Sequence, residues 1–141
     1  MDIISLDKEY VAGTYGRFPV ALVSGKGSLF TDVNGKEYID LGSGIGVTCF
    51  GTGDDQWLNA VTAQLHKLQH TSNLYYTEPC AKLAQVLCEK TGMKKVFFSN
   101  SGAEANECAI KVARKYSAEK KGDKYYTIIT LEHSFHGRTL T

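Results

Sequence analysis

Residues 100–104, Asn-Ser-Gly-Ala-Glu, lie between a short apolar segment and a long helical pattern. Gly102 allows a ligand to approach the backbone closely, and the N–H groups of the first helical turn, including that of Ala103, have no partner inside the helix. These groups lie at the positive end of the helix dipole, and the hydroxyl of Ser101 can add a donor. The pattern predicts a binding site for an anion, usually phosphate. An ordinary serine N-cap without a ligand is equally compatible with this loop alone.

A second polar loop, residues 134–138 (Ser-Phe-His-Gly-Arg), follows the apolar segment 125–131. Phe135 supplies a flat ring, His136 a titratable imidazole and Arg138 a planar fork that matches a carboxylate. A phosphate site beside a stacking ring and a guanidinium suits a flat, phosphorylated, aromatic cofactor that acts on a carboxylate substrate. Pyridoxal 5′-phosphate with an amino acid fits this description.

The elements around the two loops predict that they lie close together. Two apolar segments, 95–99 and 125–131, flank a helical pattern that runs from about residue 103 to residue 120. This order is typical of a βαβ unit with parallel strands and a right-handed crossover. Because ligands bind outside the carboxyl ends of parallel strands, we expect both loops at the same edge of a sheet.

The chain before residue 50 predicts a β-meander. Residues 21–41 contain two turn signals, the glycine-flanked segment 25–27 and the pair Asn34-Gly35. The second signal is typical of a two-residue type I′ turn, in which both central residues have positive φ. A glycine-rich segment, residues 42–46, follows the last predicted strand.

Two further helices are predicted between residues 54 and 92. Trp57, Val61, Leu65 and Leu68 recur with the spacing of one helix face, and we expect either Thr52 or Asp54 to cap this helix. The next helix begins near Glu78-Pro79, since proline is favoured in the first turn, and ends before Gly92.

Composition restricts the class of protein. The chain has 141 residues, 43% hydrophobic and 22% charged, with a net charge of +1. This balance is typical of a globular domain and gives no field that would recruit nucleic acid or an anionic membrane. The N-terminus lacks the pattern of a signal peptide and no apolar run is long enough for a membrane span, so we expect a cytoplasmic protein. Four scattered cysteines predict buried or neutral thiols rather than a disulfide framework.

Several motifs resemble one enzyme family and occur in that family's order. They are residues 14–19 (TYGRFP), 34–40 (NGKEYID), 43–47 (SGIGV), 72–79 (SNLYYTEP), 97–107 (FFSNSGAEANE) and 134–138 (SFHGR). Residues 97–107 resemble the phosphate-binding motif of class III pyridoxal-phosphate-dependent aminotransferases, and residues 134–138 resemble the ring-stacking loop of the same family. The resemblance covers nearly the whole chain.

The resemblance implies a role for each matching residue. Ser101, Gly102 and Ala103 would bind the phosphate of pyridoxal 5′-phosphate, Phe135 would stack on its ring, and His136 would also contact the cofactor. On the substrate side it implies that Arg138 holds a carboxylate and that Tyr15, Arg17 and the loop 43–47 line the site. It also implies amino-acid and 2-oxo-acid substrates and a homodimer with the 73–76 loop at the interface, while the histidine spacing described below leads us to expect no metal.

The same resemblance implies an α/β fold, namely the N-terminal part of the fold-type I transferase fold. Residues 1–50 would form the N-terminal segment and β-meander of the small domain, and residues 51–141 the start of the large cofactor-binding domain. The family's Schiff-base lysine and the aspartate that pairs with the ring nitrogen match no position in this chain. We therefore expect a truncated sequence with no catalytic residue of its own, inactive by itself.

Substrate choice depends on few residues. The motifs at 15–19 and 73–76 are most similar to the acetylornithine branch of the family, which transfers an amino group between N-acetylornithine and 2-oxoglutarate in arginine biosynthesis. The ornithine, succinyl-diaminopimelate and 4-aminobutyrate branches share the phosphate and stacking motifs, so they remain alternatives.

Three other classes of function are open on sequence grounds. The glycines of residues 42–46 superficially suggest a dinucleotide-binding loop, but their spacing is not GxGxxG. The pairs His66/His70 and His133/His136 suggest a metal protein, although no HExxH pattern or third ligand accompanies them. A non-catalytic remnant that binds only the cofactor phosphate is the third.

Overall fold

A computed structural model describes residues 2–122 and 124–139. The chain divides into two compact units, residues 1–72 and residues 73–141. The elements of the first unit are α1 (Ile3–Tyr10), β1 (Leu22–Lys26), β2 (Leu29–Asp32), β3 (Glu37–Ile39), α2 (Ser43–Gly46) and α3 (Asp55–Lys67), and those of the second are α4 (Glu78–Thr91) and α5 (Gly102–Lys121). The domain boundary predicted after residue 50 stays a prediction.

The predicted β-meander is confirmed, with a different turn at its second hairpin. Strands β1, β2 and β3 form an antiparallel sheet in chain order. Thr31 pairs with Glu37, and Gly35 N–H donates to the Asp32 carbonyl at 3.0 Å. Only Gly35 has positive φ (81°), whereas Asn34 does not, so the type I′ prediction was wrong. The observed loop of three residues with glycine in the left-handed position is the next most common hairpin connection.

The carboxylate of Asp32 explains the longer turn. Its Oδ1 accepts hydrogen bonds from the N–H groups of Asn34 (2.8 Å) and Lys36 (3.0 Å), and its Oδ2 accepts from the Tyr38 hydroxyl (3.0 Å). Asp32 is buried, and these donors, first the Lys36 N–H, hold its pKa below the usual range. The bond from the Asn34 N–H to the Asp32 side chain closes a turn of its own. This local turn favours a hairpin loop of three residues over one of two.

The first turn of the meander also differs from the prediction. Gly25 and Lys26 belong to strand β1 rather than to a turn. A Cβ atom on Gly25 would lie 2.5 Å from the Phe30 ring and 2.9 Å from the Leu29 carbonyl oxygen. The glycine is therefore required for the close approach of β2, not for a turn conformation.

Helices α1 and α3 are both capped by an aspartate. The Asp54 carboxylate accepts from the Trp57 N–H at 2.8 Å, which identifies the cap of α3. The Lys26 ammonium donates to the Gly53 carbonyl at 2.7 Å and thereby ties this cap to β1. Helix α1 was not predicted, although Asp2 caps it by accepting from the Ser5 N–H at 2.9 Å. An Asp three residues before Ser is a weak signal at a chain terminus.

The glycine-rich segment forms a left-handed turn, α2. Ser43, Gly44, Ile45 and Gly46 all have positive φ, between 48° and 75°. The turn is closed by backbone bonds to Gly42 and Ser43, and Asp40 Oδ1 accepts from the N–H groups of both residues at 2.9 Å. Ile45 is 99% exposed and β-branched, a residue type for which positive φ is rare. The strain thus coincides with an apolar side chain presented to solvent.

Helices α4 and α5 confirm the local predictions for the second unit. Pro79 occupies the first turn of α4, and Gly92 ends it in the left-handed conformation with φ of 74°. Helix α5 runs from Gly102 to Lys121 with Ser101 as its N-cap. Both helices follow the rules for caps and terminal residues because these are local interactions.

The predicted βαβ unit is not formed. Residues 95–99 and 125–131 make no β-ladder, with each other or with any other part of the described chain. A strand is defined by hydrogen bonds to its neighbour, and strands joined by a crossover are not always adjacent in a sheet. Sequence analysis predicted two parallel strands at these positions, and the described residues show neither segment as a strand.

The chain buries very little of its apolar surface. Its accessible surface is 12,761 Å², whereas a folded monomer of this mass exposes about 7,200 Å². In the part of the chain that the structure describes, the only buried hydrophobic residue is Ala21. None of the described helices is sufficiently long and apolar to span a bilayer. The large apolar faces therefore need a covering surface.

Replacing Gly25 by alanine tests the packing of the meander. The new methyl group meets a ring and a backbone carbonyl, so we expect destabilisation of about 1–3 kcal/mol, as for other overpacked sites. Amide hydrogen exchange of residues 22–39, measured in the full polypeptide that carries this chain, would accelerate. Gly13→Ala is the matched control because nothing lies within 4 Å of a Cβ there; equal exchange rates in the two variants would contradict the packing argument.

The lowered pKa of Asp32 predicts a pH-dependent hairpin. A carboxyl group whose pKa lies below its ordinary value of 3.8 in the folded state stabilises that state above this value. The contribution is lost as pH falls through the lowered pKa. We expect Asp32→Asn to accelerate hydrogen exchange of residues 29–39 at neutral pH, and the difference from the wild type to shrink in acid. A difference that stays constant with pH would show that the charge is unimportant.

Candidate anion and cofactor site

The N-terminus of α5 combines a serine cap with unused donors. Ser101 Oγ accepts from the Glu104 N–H at 3.2 Å, and the Ser101 carbonyl accepts from the Ala105 N–H at 3.1 Å. Within the described residues no acceptor is recorded for the N–H groups of Gly102 and Ala103. The cap and the anion site, which the sequence left as alternatives, are therefore compatible in one structure.

The space over Gly102 is open. A Cβ atom built there would meet nothing within 4 Å, so an anion can approach the backbone. Two N–H groups, the Ser101 hydroxyl and the positive end of a 20-residue helix form a donor set that suits phosphate oxygens. These residues fit a phosphate-bearing cofactor.

Glu104 fixes the loop that precedes the helix. Its carboxylate accepts from the Asn100 N–H at 2.6 Å and from the Asn100 amide at 3.4 Å. The arrangement resembles a capping box displaced by one residue, because the carboxylate reaches the residue before the N-cap. The spacing of three residues between Ser101 and Glu104 is the sequence signal for such a contact.

The second loop presents a ring and a guanidinium together. Phe135 is 74% exposed, and the Arg138 Cζ atom lies 5.6 Å from the centre of its ring. This distance permits a cation–π interaction, which holds the two side chains close to each other. An exposed ring with a guanidinium beside it can stack on a planar ligand while the charge faces a carboxylate.

The two loops meet within the second unit. The Asn106 amide donates to the His136 carbonyl at 3.2 Å. A Cβ atom on Gly137 would lie 2.6 Å from the Ala103 Cβ atom, so the loop backbone lies directly against the first turn of α5. The structure thus brings the anion site and the aromatic loop together, although no sheet joins the segments before them. His136 contributes its backbone carbonyl here.

Tyr15 and Arg17 lie in the first unit. Both line a cavity of about 380 Å³ formed by α1 and residues 11–21, a volume within the range of small-molecule sites. Arg17 pairs with Asp7 on α1 at 3.4 Å between Nη1 and Oδ2. Asp7 was not predicted as a site residue, because α1 itself was not recognised.

The structure differs from the dinucleotide-binding alternative at the glycine-rich segment. Residues 42–46 form the strained turn α2 instead of a phosphate-binding loop that opens a helix. The described residues contain no group of three or more His, Cys, Asp or Glu side chains arranged to hold a metal ion.

Comparison with known families agrees with the geometry of the second unit. The model of the family "Aminotransferase class-III" matches residues 10–141. The chain belongs to this family. The match includes both loops and the cavity residues Tyr15 and Arg17.

Individual relatives share the sequence and the fold. The chain is 58% identical over 139 residues to the acetylornithine aminotransferase of Haemophilus ducreyi, an alignment that covers 99% of this chain and 35% of the relative. The solved acetylornithine aminotransferase of Elizabethkingia anophelis superimposes with a TM-score of 0.79 at 37% identity, over 84% of this chain and 31% of that one.

A solved ornithine aminotransferase is also similar. The Toxoplasma gondii enzyme, whose structure reveals partial occupancy of PLP at its active site, superimposes with a TM-score of 0.78 at 31% identity, over 84% of this chain and 28% of that one. The chain spans about a third of the length of the curated relatives that it matches.

Two substitutions of Ser101 separate its roles as cap and as anion ligand. Asp and Asn cap helices as well as Ser, so both Ser101→Asp and Ser101→Asn should leave the stability within about 0.5 kcal/mol. Ser101→Asp places a negative charge at the donor set, and we expect its affinity for inorganic phosphate to fall at least about tenfold. Titration of the full polypeptide with phosphate measures this difference. Equal affinities of the Asp and Asn variants would show that phosphate binds elsewhere.

Proposed function

We propose that this chain forms the phosphate-binding and ring-stacking part of a pyridoxal-phosphate-dependent aminotransferase that transfers an amino group between N-acetylornithine and 2-oxoglutarate. The observation that carries the proposal is the contact between the two loops of the second unit. An open donor set for phosphate lies against a loop with an exposed ring and a guanidinium.

The candidate site residues of the second unit have separate roles in this proposal. Ser101, Gly102 and Ala103 hold the cofactor phosphate with one hydroxyl and two N–H groups. Phe135 packs on the pyridine ring, and Arg138 binds a substrate carboxylate and orients the amino group. Pyridoxal 5′-phosphate, when bound, supplies the electron sink for the transfer.

The remaining candidate site residues contribute to substrate choice and to the environment of the cofactor. His136 lines the cofactor side of the loop. Tyr15 and Arg17, with the turn at residues 43–47, belong to the substrate side, where Arg17 already carries the acidic partner Asp7. The family's Schiff-base lysine matches no position in this chain, so no lysine of this chain is assigned to the chemical step.

N-acetylornithine is preferred over ornithine on the strength of sequence identity. Curated relatives at 45–58% identity are named acetylornithine aminotransferases. Among solved structures, two acetylornithine aminotransferases are 37% and 39% identical, whereas the similar ornithine aminotransferases are 29–34% identical. Ornithine is the second candidate because those solved structures superimpose equally well, with TM-scores of 0.78–0.85.

The exposed surface favours a larger protein, and membership of the family favours a homodimer. The accessible surface exceeds that of a folded monomer of this mass by about 5,500 Å². Even an obligate dimer interface of about 5,000 Å² covers only half that area on each partner. Further polypeptide must therefore cover more of this surface than a second copy does. We place the protein in the cytoplasm, in line with its composition.

Replacing Arg138 by lysine tests the proposal. Lysine keeps the charge but loses the planar fork, so we expect kcat/KM for N-acetylornithine to fall about 10–100-fold, the cost of one charged hydrogen bond. Arg114→Lys, the same change on the exposed part of α5, should leave kcat/KM unchanged. Steady-state kinetics of the full polypeptide with N-acetylornithine and with ornithine provide the comparison. If the wild type turns over ornithine faster than N-acetylornithine, ornithine is the substrate and the first candidate is wrong.

A further inference from the structure

Two residues on one face of α5 contact the aromatic loop. Ala103 packs against Gly137, and the Asn106 amide donates to the His136 carbonyl at 3.2 Å. Positions i and i+3 of a helix lie side by side on its surface. The loop is therefore aligned along the first two turns of α5, next to the donors of the anion site.

The backbone is strained immediately before the loop. His133 has φ of 58°, an uncommon value for a residue other than glycine, whereas Gly137 adopts its φ of 108° without a steric penalty. A strained residue at this position persists only when the surrounding structure determines its conformation. Within the loop, the Ser134 hydroxyl bonds the Leu131 carbonyl at 2.8 Å, which fixes only its beginning.

Asn106 contacts the middle of the loop, at His136. Its amide is partly buried, and its bond to the His136 carbonyl spans 30 residues of sequence. His136 directly follows Phe135 and precedes Arg138 by two residues, so its carbonyl lies between the ring and the guanidinium along the chain. Glu107 cannot substitute for this bond, because its carboxylate has no hydrogen to donate to a carbonyl and instead accepts from the Lys111 ammonium at 2.8 Å.

We propose that Asn106 is a positioning residue that sets the distance between the phosphate site at the start of α5 and the stacking ring of Phe135. The phosphate group of a ligand contacts only the donors of α5. The ring of the same ligand contacts Phe135, so its binding also depends on the distance between the loop and those donors. This inference rests on the proposed function, since it assigns the two parts of one cofactor to the two contacts.

Asn106→Asp is the most informative variant because it keeps the size of the side chain and removes its N–H donors. The new carboxylate faces the His136 carbonyl, so the loop should move away from α5. We expect the dissociation constant for pyridoxal 5′-phosphate to rise about tenfold, the effect of losing one hydrogen bond. The affinity for inorganic phosphate should stay within about twofold of the wild type, because the new charge lies beyond the first turn of α5 and is directed at the His136 carbonyl rather than at the anion donors. A purely structural defect would weaken both ligands.

Amide hydrogen exchange provides a readout that does not require the cofactor. In the full polypeptide without ligand, peptides covering residues 131–139 should exchange faster in Asn106→Asp than in the wild type, while peptides of α4 should not change. Asn59→Asp on the exposed surface of α3 makes the same chemical change in the other unit and is the matched control.

Gly137→Ala tests the same contact from the loop side. Its Cβ atom would lie 2.6 Å from the Ala103 Cβ atom, so the loop must lift regardless of the hydrogen bond. We expect the same selective loss of pyridoxal 5′-phosphate affinity as in Asn106→Asp. Agreement of the two variants with unchanged phosphate affinity supports the inference.

The outcomes separate this inference from the proposed function. Unchanged exchange of residues 131–139 in Asn106→Asp overturns the positioning role, whatever the ligand data show. An equal loss of affinity for phosphate and cofactor overturns it as well. If the wild-type protein fails to bind pyridoxal 5′-phosphate at all, the proposed function falls, and with it the assignment of Asn106 to a cofactor.

Discussion

The serine cap of α5 is the interaction on which the site depends. The Ser101 Oγ atom accepts a hydrogen bond from the Glu104 N–H. The extended backbone ends at Ser101, and the helix begins at Gly102. This leaves the N–H groups of Gly102 and Ala103 directed away from the helix body with no internal acceptor. The same start point sets the helical phase that turns Ala103 and Asn106 toward the aromatic loop. One local hydrogen bond thus determines both the donors and the face that supports the ring.

Sequence patterns predicted those elements whose ends are decided by neighbouring residues. Pro79 and Gly92 bound α4, and Asp54 and Ser101 cap α3 and α5, because caps act within four residues. The meander was also predicted. Its second turn was not, since the Asp32 carboxylate draws an additional residue into the loop through bonds that the Asn-Gly signal does not contain.

Features that depend on distant residues were beyond the sequence patterns. Residues 95–99 have the composition of a strand, yet pairing depends on which segment lies beside them. The bond from Asn106 to His136 joins residues that are 30 positions apart, and nothing in the local pattern at Asn106 distinguishes it from a solvated helix residue. The candidate phosphate ligands, in contrast, were visible because the start of a helix exposes its own donors.

The close approach of Gly137 to Ala103 has a consequence for how this sequence can change over time. With 2.6 Å available to a methyl group on one side and a methyl group already present on the other, the two positions share a single small volume. A methyl group at position 137 is excluded as long as Ala103 is retained, and the φ of 108° at Gly137 disfavours any side chain there as well. Two separate constraints, one from a residue more than thirty positions away and one from the local backbone, therefore require glycine at this position.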